Sequence, residues 1–262
     1  TKVVVANKKL YVNKEEGFIG TSMRKDEYVC ECSDIDDIIV FLKSGIMQVV
    51  KVDNKVFVGK DIIFCNVFKR KDDRTIYNMI YKDGNSGNTL MKRFPVTSIT
   101  RNKQYLLTKS EKNSKVLYFT SNPNGEAELV TVHLRKLARL KNLKIDIDFS
   151  NLSIKGKTAI GNIVTKNQVK KVELKSEGVS TLSARKIWFD DNVQRLNVDG
   201  RGDLLGSFQS NDSILVVKQS GELELKSFEI SNHFDEDMIL IEKYHQDKPL
   251  TAIYYDGKNK NY

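Results

Sequence analysis

Proline, histidine and cysteine are scarce: the 262 residues hold three prolines, three histidines and three cysteines. With so few prolines and no Ser/Gly-rich or low-complexity tract, composition offers no place to divide the chain, and one domain over 1–262 is expected. The histidines (His133, His233, His245) are scattered and the cysteines (Cys30, Cys32, Cys65) are too few to supply metal-ligand spacing, so no metal site is expected. The three cysteines cannot all pair. Cys30 and Cys32 are two apart in a strand-like stretch and share a face, which reads as buried free thiols in a reducing compartment. No apolar run reaches the ~18 residues of a membrane-spanning helix. The opening TKVVVANKKLYVN is too short and too charged for a signal peptide, and a first residue Thr1 rather than Met reads as a piece of something longer.

Apolar residues make up 40% of the sequence, enough to build a core and to argue against disorder. The formal net charge is +9, which favours an anionic partner, and its distribution is uneven. Between Arg101 and Lys175 there are 16 Lys+Arg against 6 Asp+Glu; the other 187 residues hold 27 against 28. Essentially all the excess positive charge lies in the middle of the chain, whereas a surface built only for solubility mixes the signs throughout.

Period-two alternation dominates. Strands are expected at 38–42, 46–52, 62–68, 75–81, 115–120, 127–134, 185–189, 213–218 and 238–243, all rich in β-branched and aromatic residues. Leu134, Leu137 and Leu140 recur every three residues, as in a single helical turn or an extended connector. Turn signals stand at Lys43-Ser44-Gly45, Lys82-Asp83-Gly84, Asn122-Pro123-Asn124-Gly125, Lys166-Asn167, Asp190-Asp191-Asn192 and Gln219-Ser220-Gly221, each expected to close a hairpin. They recur at roughly 25–45 residues, the mark of an array of small sheets. The fold class expected is therefore all-β and propeller-like: a closed ring of four-stranded blades. Units at 17–52, 57–96, 104–134, 158–198 and 202–228, with the ends 2–13 and 238–257 pairing into one composite sheet, give six blades, with five as the alternative.

The unit GDLLGSFQSNDS followed by ILVVKQSGELELKSF (202–228) resembles the repeat of the β-pinwheel that forms the C-terminal domain of gyrase and topoisomerase IV A subunits. That repeat ends a hairpin in an apolar residue and a basic pair. Lys92-Arg93 and Lys170-Lys171 keep the pair, Gln194-Arg195 keeps half of it, and Gln48-Val49 and Glu224-Leu225 have lost it. The runs KLYVNKEEGFIGT, DRTIYNMIYKDG, YFTSNPNGEAE and RKIWFDDNVQRLN are most similar to topoisomerase IV-type A subunits. The gyrase heptapeptide Q-R-R-G-G-(K/R)-G does not occur; its nearest traces are Lys155-Gly156-Lys157 and Gly200-Arg201-Gly202, whose glycines equally let the chain turn between blades.

The resemblance implies a non-catalytic domain that binds and bends duplex DNA for strand passage in decatenation or relaxation. The catalytic tyrosine, ATP and Mg2+ of the parent enzyme would lie outside this chain. Its partners would be double-stranded DNA, the rest of its own topoisomerase subunit and the ATPase B subunit, in the bacterial cytoplasm with the nucleoid and without a membrane. No acid–histidine–nucleophile set, P-loop or dinucleotide fingerprint points to an enzyme or to a cofactor in this domain. Tyr77, Tyr81, Tyr118, Tyr254 and Tyr255 read as core or sheet-surface residues. The candidate DNA contacts are Lys92, Arg93, Arg101, Lys103, Arg135, Lys136, Arg139, Lys141, Lys155, Lys157, Lys166, Lys170, Lys171, Arg195 and Arg201, on an outer rim gripping DNA over an arc of roughly 90–205. The alternatives are a gyrase-type wrapping domain and a propeller that scaffolds proteins.

Overall fold

The computed structural model describes residues 7–137, 140–209, 212–230 and 232–255. Among them the chain forms strands and one 3-10 turn (Phe149–Asn151), with no α-helix. The strands are β1 (Lys8–Asn13), β2 (Phe18–Gly20), β3 (Glu27–Cys32), β4 (Asp37–Leu42), β5 (Ile46–Lys51), β6 (Val56–Phe57) and β7 (Ile62–Val67). They continue as β8 (Ile76–Lys82), β9 (Thr89–Pro95), β10 (Tyr105–Leu106), β11 (Lys115–Asn122), β12 (Glu126–Leu134), β13 (Lys144–Asp148) and β14 (Asn162–Thr165). The last are β15 (Val169–Ser180), β16 (Arg185–Asp190), β17 (Arg195–Asn197), β18 (Asp203–Phe208), β19 (Ile214–Lys218), β20 (Leu223–Lys226) and β21 (Met238–Lys243). All nine strands expected from alternation are present.

The strands sort into six small antiparallel sheets: β3-β1-β2-β6, β10-β5-β4-β7, β11-β8-β9-β14, β13-β12-β15, β17-β16-β18 and β20-β19-β21. Three have the four strands expected of a blade; the other three have three among the described residues. The first three follow one rule. A hairpin (β1–β2, β4–β5, β8–β9) forms the centre, a third strand (β3, β7, β11) covers its first member, and the fourth (β6, β10, β14) arrives only after the chain has built the central pair of the following sheet. The same rule shows in β17, whose open side meets a single bridge, Arg195 to His233, supplied after the β19–β20 hairpin.

The chain divides into two compact units, Thr1–Leu182 with the first four sheets and Ser183–Tyr262 with the last two. The expected pairing of the two ends, 2–13 with 238–257, falls partly on residues outside the described ones. Both sides of β1 are taken by β2 and β3, and β21 pairs with β19.

Burial explains why some strands read as unbroken apolar runs. All six residues of β4 are buried, Ile39 and Phe41 in the cluster shared with β8 and β9, Ile38, Val40 and Leu42 in the cluster shared with β1 and β2. β8 is likewise buried on both faces, Tyr77, Met79 and Tyr81 on one and Ile80 on the other. A strand covered on both faces loses its polar alternation. The second unit has its own core, built on Ile187, Phe189, Phe208, Ile214, Val216, Phe228 and Phe234.

Four of the six turn signals close hairpins, those at Lys43, Lys82, Asp190 and Gln219. The other two correct the expectation. Asn122–Gly125 joins β11 to β12 and Lys166-Asn167 joins β14 to β15, in each case carrying the chain from one sheet to the next. A turn sequence specifies local chain reversal; the neighbour is chosen by the faces the following strand must bury. The stretch around Leu137 and Leu140 is a connector between β12 and β13 with one turn, Leu140 N–H to Leu137 O, 3.1 Å.

Gly202 has φ +78°, and a Cβ there would stand 2.0 Å from the carbonyl oxygen of Phe189. Gly156 meets nothing within 4 Å. Gly202→Ala is therefore expected to lower the urea stability of the second unit by about 1–3 kcal/mol, and Gly156→Ala to change it by no more than about 0.5 kcal/mol; equal effects would refute this account of Gly202.

Candidate nucleic-acid interface

Two of the expected DNA contacts lie inside the protein. Lys92 and Arg93 are adjacent on β9 and project to opposite faces, with exposures of 3% and 1%. The Lys92 ammonium donates to the carbonyls of Leu107 (2.7 Å), Lys157 (2.7 Å) and Ala159 (2.8 Å). Burial pushes its pKa down to about 7. Arg93 donates from Nε to Asn78 Oδ1 (2.9 Å), from Nη1 to Phe149 O (3.3 Å) and from Nη2 to Gly125 O (3.0 Å) and Glu126 O (3.2 Å). Asn78 then donates to the buried Glu128 carboxylate at 2.7 Å. A guanidinium so committed has no free edge to offer a phosphate. These two residues leave the DNA set: they hold one sheet to its neighbours.

Lys170-Lys171, which the sequence suggested as another copy of this pair, stands on β15, the strand that follows a crossover rather than a hairpin turn. Both side chains are exposed. Lys171 is occupied by Glu173 (2.5 Å), which His133 Nε2 also meets at 2.7 Å, and Lys171 in turn holds the Glu173 carboxyl below its ordinary range. Beside them Lys175 pairs with Asp146. This face of the fourth sheet is charge-balanced, and Lys171 is a poor phosphate ligand for that reason.

Other candidates are engaged too. Arg101 makes a two-point contact with Asp37 (2.8 and 3.2 Å), a carboxylate that Arg70 also reaches at 3.2 Å. Arg195, half-buried, contacts the His233 ring at 2.6 Å. Arg201 lies 3.4 Å from Asp199 on the surface. Arg139 falls outside the described residues.

The remaining eight fall into two groups on the first unit, and no ion pair to an acid is found for any of them among the described residues. The first group lines one end of the fourth sheet. Arg135, Lys136 and Lys141 occupy the β12–β13 connector, and Lys166 and Lys170 flank the β14–β15 crossover; all are exposed. The two loops are tied by Arg135 N–H to Gln168 O at 2.8 Å. The second group surrounds β10. The Lys103 and Lys157 ammoniums stand 5.4 and 5.1 Å from the centre of the Tyr105 ring, Lys157 donates to Ser98 O (2.9 Å), and Lys155 lies two residues away, exposed. Thr100, chiefly, and the two lysines lower the Tyr105 phenol pKa.

Tyr105 was missed from sequence, because a count of cations ignores the aromatic ring beside them. A partial signal exists: residues 84–110, 129–145 and 149–172 contain no acid and hold five Lys+Arg each, and all eight remaining candidates fall in them, as do the buried Lys92 and Arg93 and the paired Arg101 and Lys171. Cations without acids nearby keep their field outside the protein, which is what a polyphosphate senses.

No group of three or more His, Cys, Asp or Glu that could hold a metal occurs among the described residues. The three thiols are free; Cys32 and Cys65 are buried and Cys30 half-buried. Tyr77 and Tyr81 belong to the core, whereas Tyr254 and Tyr255 are exposed and lie outside the strands, unlike their expected place in a sheet. No helix among the described residues is long and apolar enough to cross a membrane.

Sheets joined by buried cations, with basic loops at their ends, make this a repetitive all-β module. Residues 9–177 and 195–262 match the family described as the topoisomerase C-terminal domain of Bacteroidota, and the chain belongs to that family. It is 26% identical over 175 residues to the A subunit of DNA topoisomerase 4 from Borreliella burgdorferi, a match that covers 66% of this chain and 26% of the relative. The match thus spans about a quarter of that protein's length. Among solved structures, it is similar to a C-terminal domain of DNA topoisomerase IV (10% identical, 92% of this chain and 94% of that one, TM-score 0.47) and to a DNA gyrase A C-terminal domain (12% identical, 91% and 100%, TM-score 0.38).

Proposed function

We propose that residues 1–262 act as one DNA-binding, DNA-bending domain, a six-bladed pinwheel within the A subunit of a type IIA topoisomerase. The domain presents duplex DNA for strand passage and performs no chemistry itself; the catalytic tyrosine, ATP and Mg2+ belong to the rest of that polypeptide and to an ATPase B subunit, all working in the cytoplasm with the nucleoid. The observation that carries this reading is the pair of basic groups, without ion pairs to acids among the described residues and exposed save for the half-buried Lys157, at the β12–β13 and β14–β15 connections and around Tyr105. Lysines and arginines so placed release counterions from phosphates and position DNA without reading bases. A bend of 40–90° over 20–30 base pairs costs of order 1–6 kcal/mol, within reach of several such contacts. The gyrase heptapeptide is absent from the sequence, which favours a decatenating or relaxing parent.

The test is a mobility-shift series of the 262-residue chain on linear and nicked circular duplex over a range of salt, followed by ligation and topoisomer analysis. Binding that is independent of base sequence and falls steeply with salt, with a shifted linking-number distribution, is expected. Salt-insensitive or absent binding would return the chain to the protein-scaffold reading.

A further inference from the structure

The reading of the β10 group as DNA-facing raises the question of what holds its lysines in place, and the inference below rests on that reading. We propose that Lys92 is a positioning residue of the DNA interface: its buried side chain ties the backbone at 157–159 to that at Leu107, and so fixes Lys155 and Lys157 for phosphate. Three features carry this.

The first is an internal comparison. Gln48 sits on β5, the second strand of its hairpin, as Lys92 sits on β9. Gln48 Nε2 donates to the carbonyl of Val58, the residue just past β6; Lys92 donates to that of Leu107, just past β10. In two successive sheets this position pins the strand handed over to the preceding sheet. Glutamine suffices for that task, so the lysine does something more.

The second is stoichiometry. An ammonium has three protons and no acceptor, and Lys92 Nζ finds three carbonyl oxygens at 2.7–2.8 Å. Two of the three belong to Lys157 and Ala159, in the segment between β13 and β14 that carries the exposed Lys155 and the half-buried Lys157.

The third is the course of that segment. Lys155 N–H donates to Arg93 O (3.0 Å), and Gly161 runs so close to β9 that a Cβ there would stand 2.3 Å from Met91 O. The stretch is anchored at both ends along β9 and, between them, by Lys92. From this track Lys157 reaches Ser98 and the Tyr105 ring, which Lys103 also meets.

The experiment compares DNA affinity and salt slope of the 262-residue chain with those of K92M, K92Q, K155Q/K157Q and the triple variant K92M/K155Q/K157Q, with hydrogen exchange at the amides of 157–161. K92M is expected to weaken binding by about tenfold, as K155Q/K157Q does, and to speed exchange at those amides. K92M added to K155Q/K157Q is expected to cost nothing further, because Lys92 acts through them. K92Q, equally uncharged but able to donate, is expected to recover part of the affinity; it also keeps the test open if K92M fails to fold. Additive losses, or equal losses in K92M and K92Q, would make Lys92 a direct phosphate contact and overturn the inference. Wild-type binding by K92M with K155Q/K157Q impaired overturns it alone, whereas wild-type binding by K155Q/K157Q overturns the reading of the interface itself.

Discussion

An Arg93→Met chain is expected to lose about 3–5 kcal/mol of stability in its first unit. Most of its carbonyl acceptors have a second donor: Gly125 O also takes Thr181, Glu126 O also takes Asn78, and Phe149 O also takes Leu152. The loss arises instead from charge. Glu128 is buried, hydrogen-bonded by Asn78 and Thr120, and its compensating cation is Arg93, reached through the Asn78 amide. The same carboxylate favours the charged form of Arg93, against the lowering imposed mainly by burial. Removing the guanidinium strands an uncompensated carboxylate and the Asn78 oxygen in the core, the costly way to break a buried charge pair. Arg93→Met combined with Glu128→Gln should recover a substantial part. Urea unfolding of the three chains measures this, and a single-variant loss below about 1 kcal/mol, the scale of an exposed ion pair, would show that the network is not structural.

Neutralising Arg135, Lys136, Lys141 and Lys166 together is expected to remove the greater part of DNA binding. Each phosphate contact contributes roughly 0.9 to the slope of log affinity against log salt, so four lost contacts lower it by about 3.6 and weaken binding on the order of a hundredfold or more near physiological salt. The loss should be similar on all sequences, because such contacts read the backbone rather than the bases. The comparison is Lys51→Gln with Lys218→Gln: Lys51 lies outside the acid-free stretches, and Lys218 is tied to Asp235 (3.0 Å) and Glu222 (3.6 Å). A filter-binding salt titration reads both, and equal losses per charge removed in the two sets would mean that net charge alone, and no localised surface, holds the DNA.

The strands were legible because alternation and β-branched composition are local properties. Even β4 and β8, buried on both faces, announced themselves as short apolar runs between turns. Partner choice was not legible, since Asn122–Gly125 and Lys43–Gly45 are equally good turns and only one of them closes a hairpin. The basic pair shows the same limit at the site. Lys92-Arg93 and Lys170-Lys171 look alike as letters, but the first lies on an inner strand between two packed faces and the second on a strand whose outward face is open. Charge in sequence says where cations are concentrated; burial decides whether they face phosphate or carbonyl oxygen. The acid-free stretches narrow the search to the right segments, but Lys92 and Arg93 lie within one of them, so strand pairing still decides which of their cations are exposed.

The order in which strands are delivered bears on how this chain comes to be folded. In an array of self-contained repeats each module closes on its own sequence, and stability adds up along the row. Here β6, β10 and β14 reach the first three sheets only after the central strands of the next have been laid down. As the chain leaves the ribosome, each of these three sheets therefore waits with one bare edge until its successor is under way. Such an edge is a template for wrong partners while it lasts. Assembly of the first unit is thereby linked from each of these sheets to the next, and a cut at one of these late strands unravels the border of the sheet it would complete.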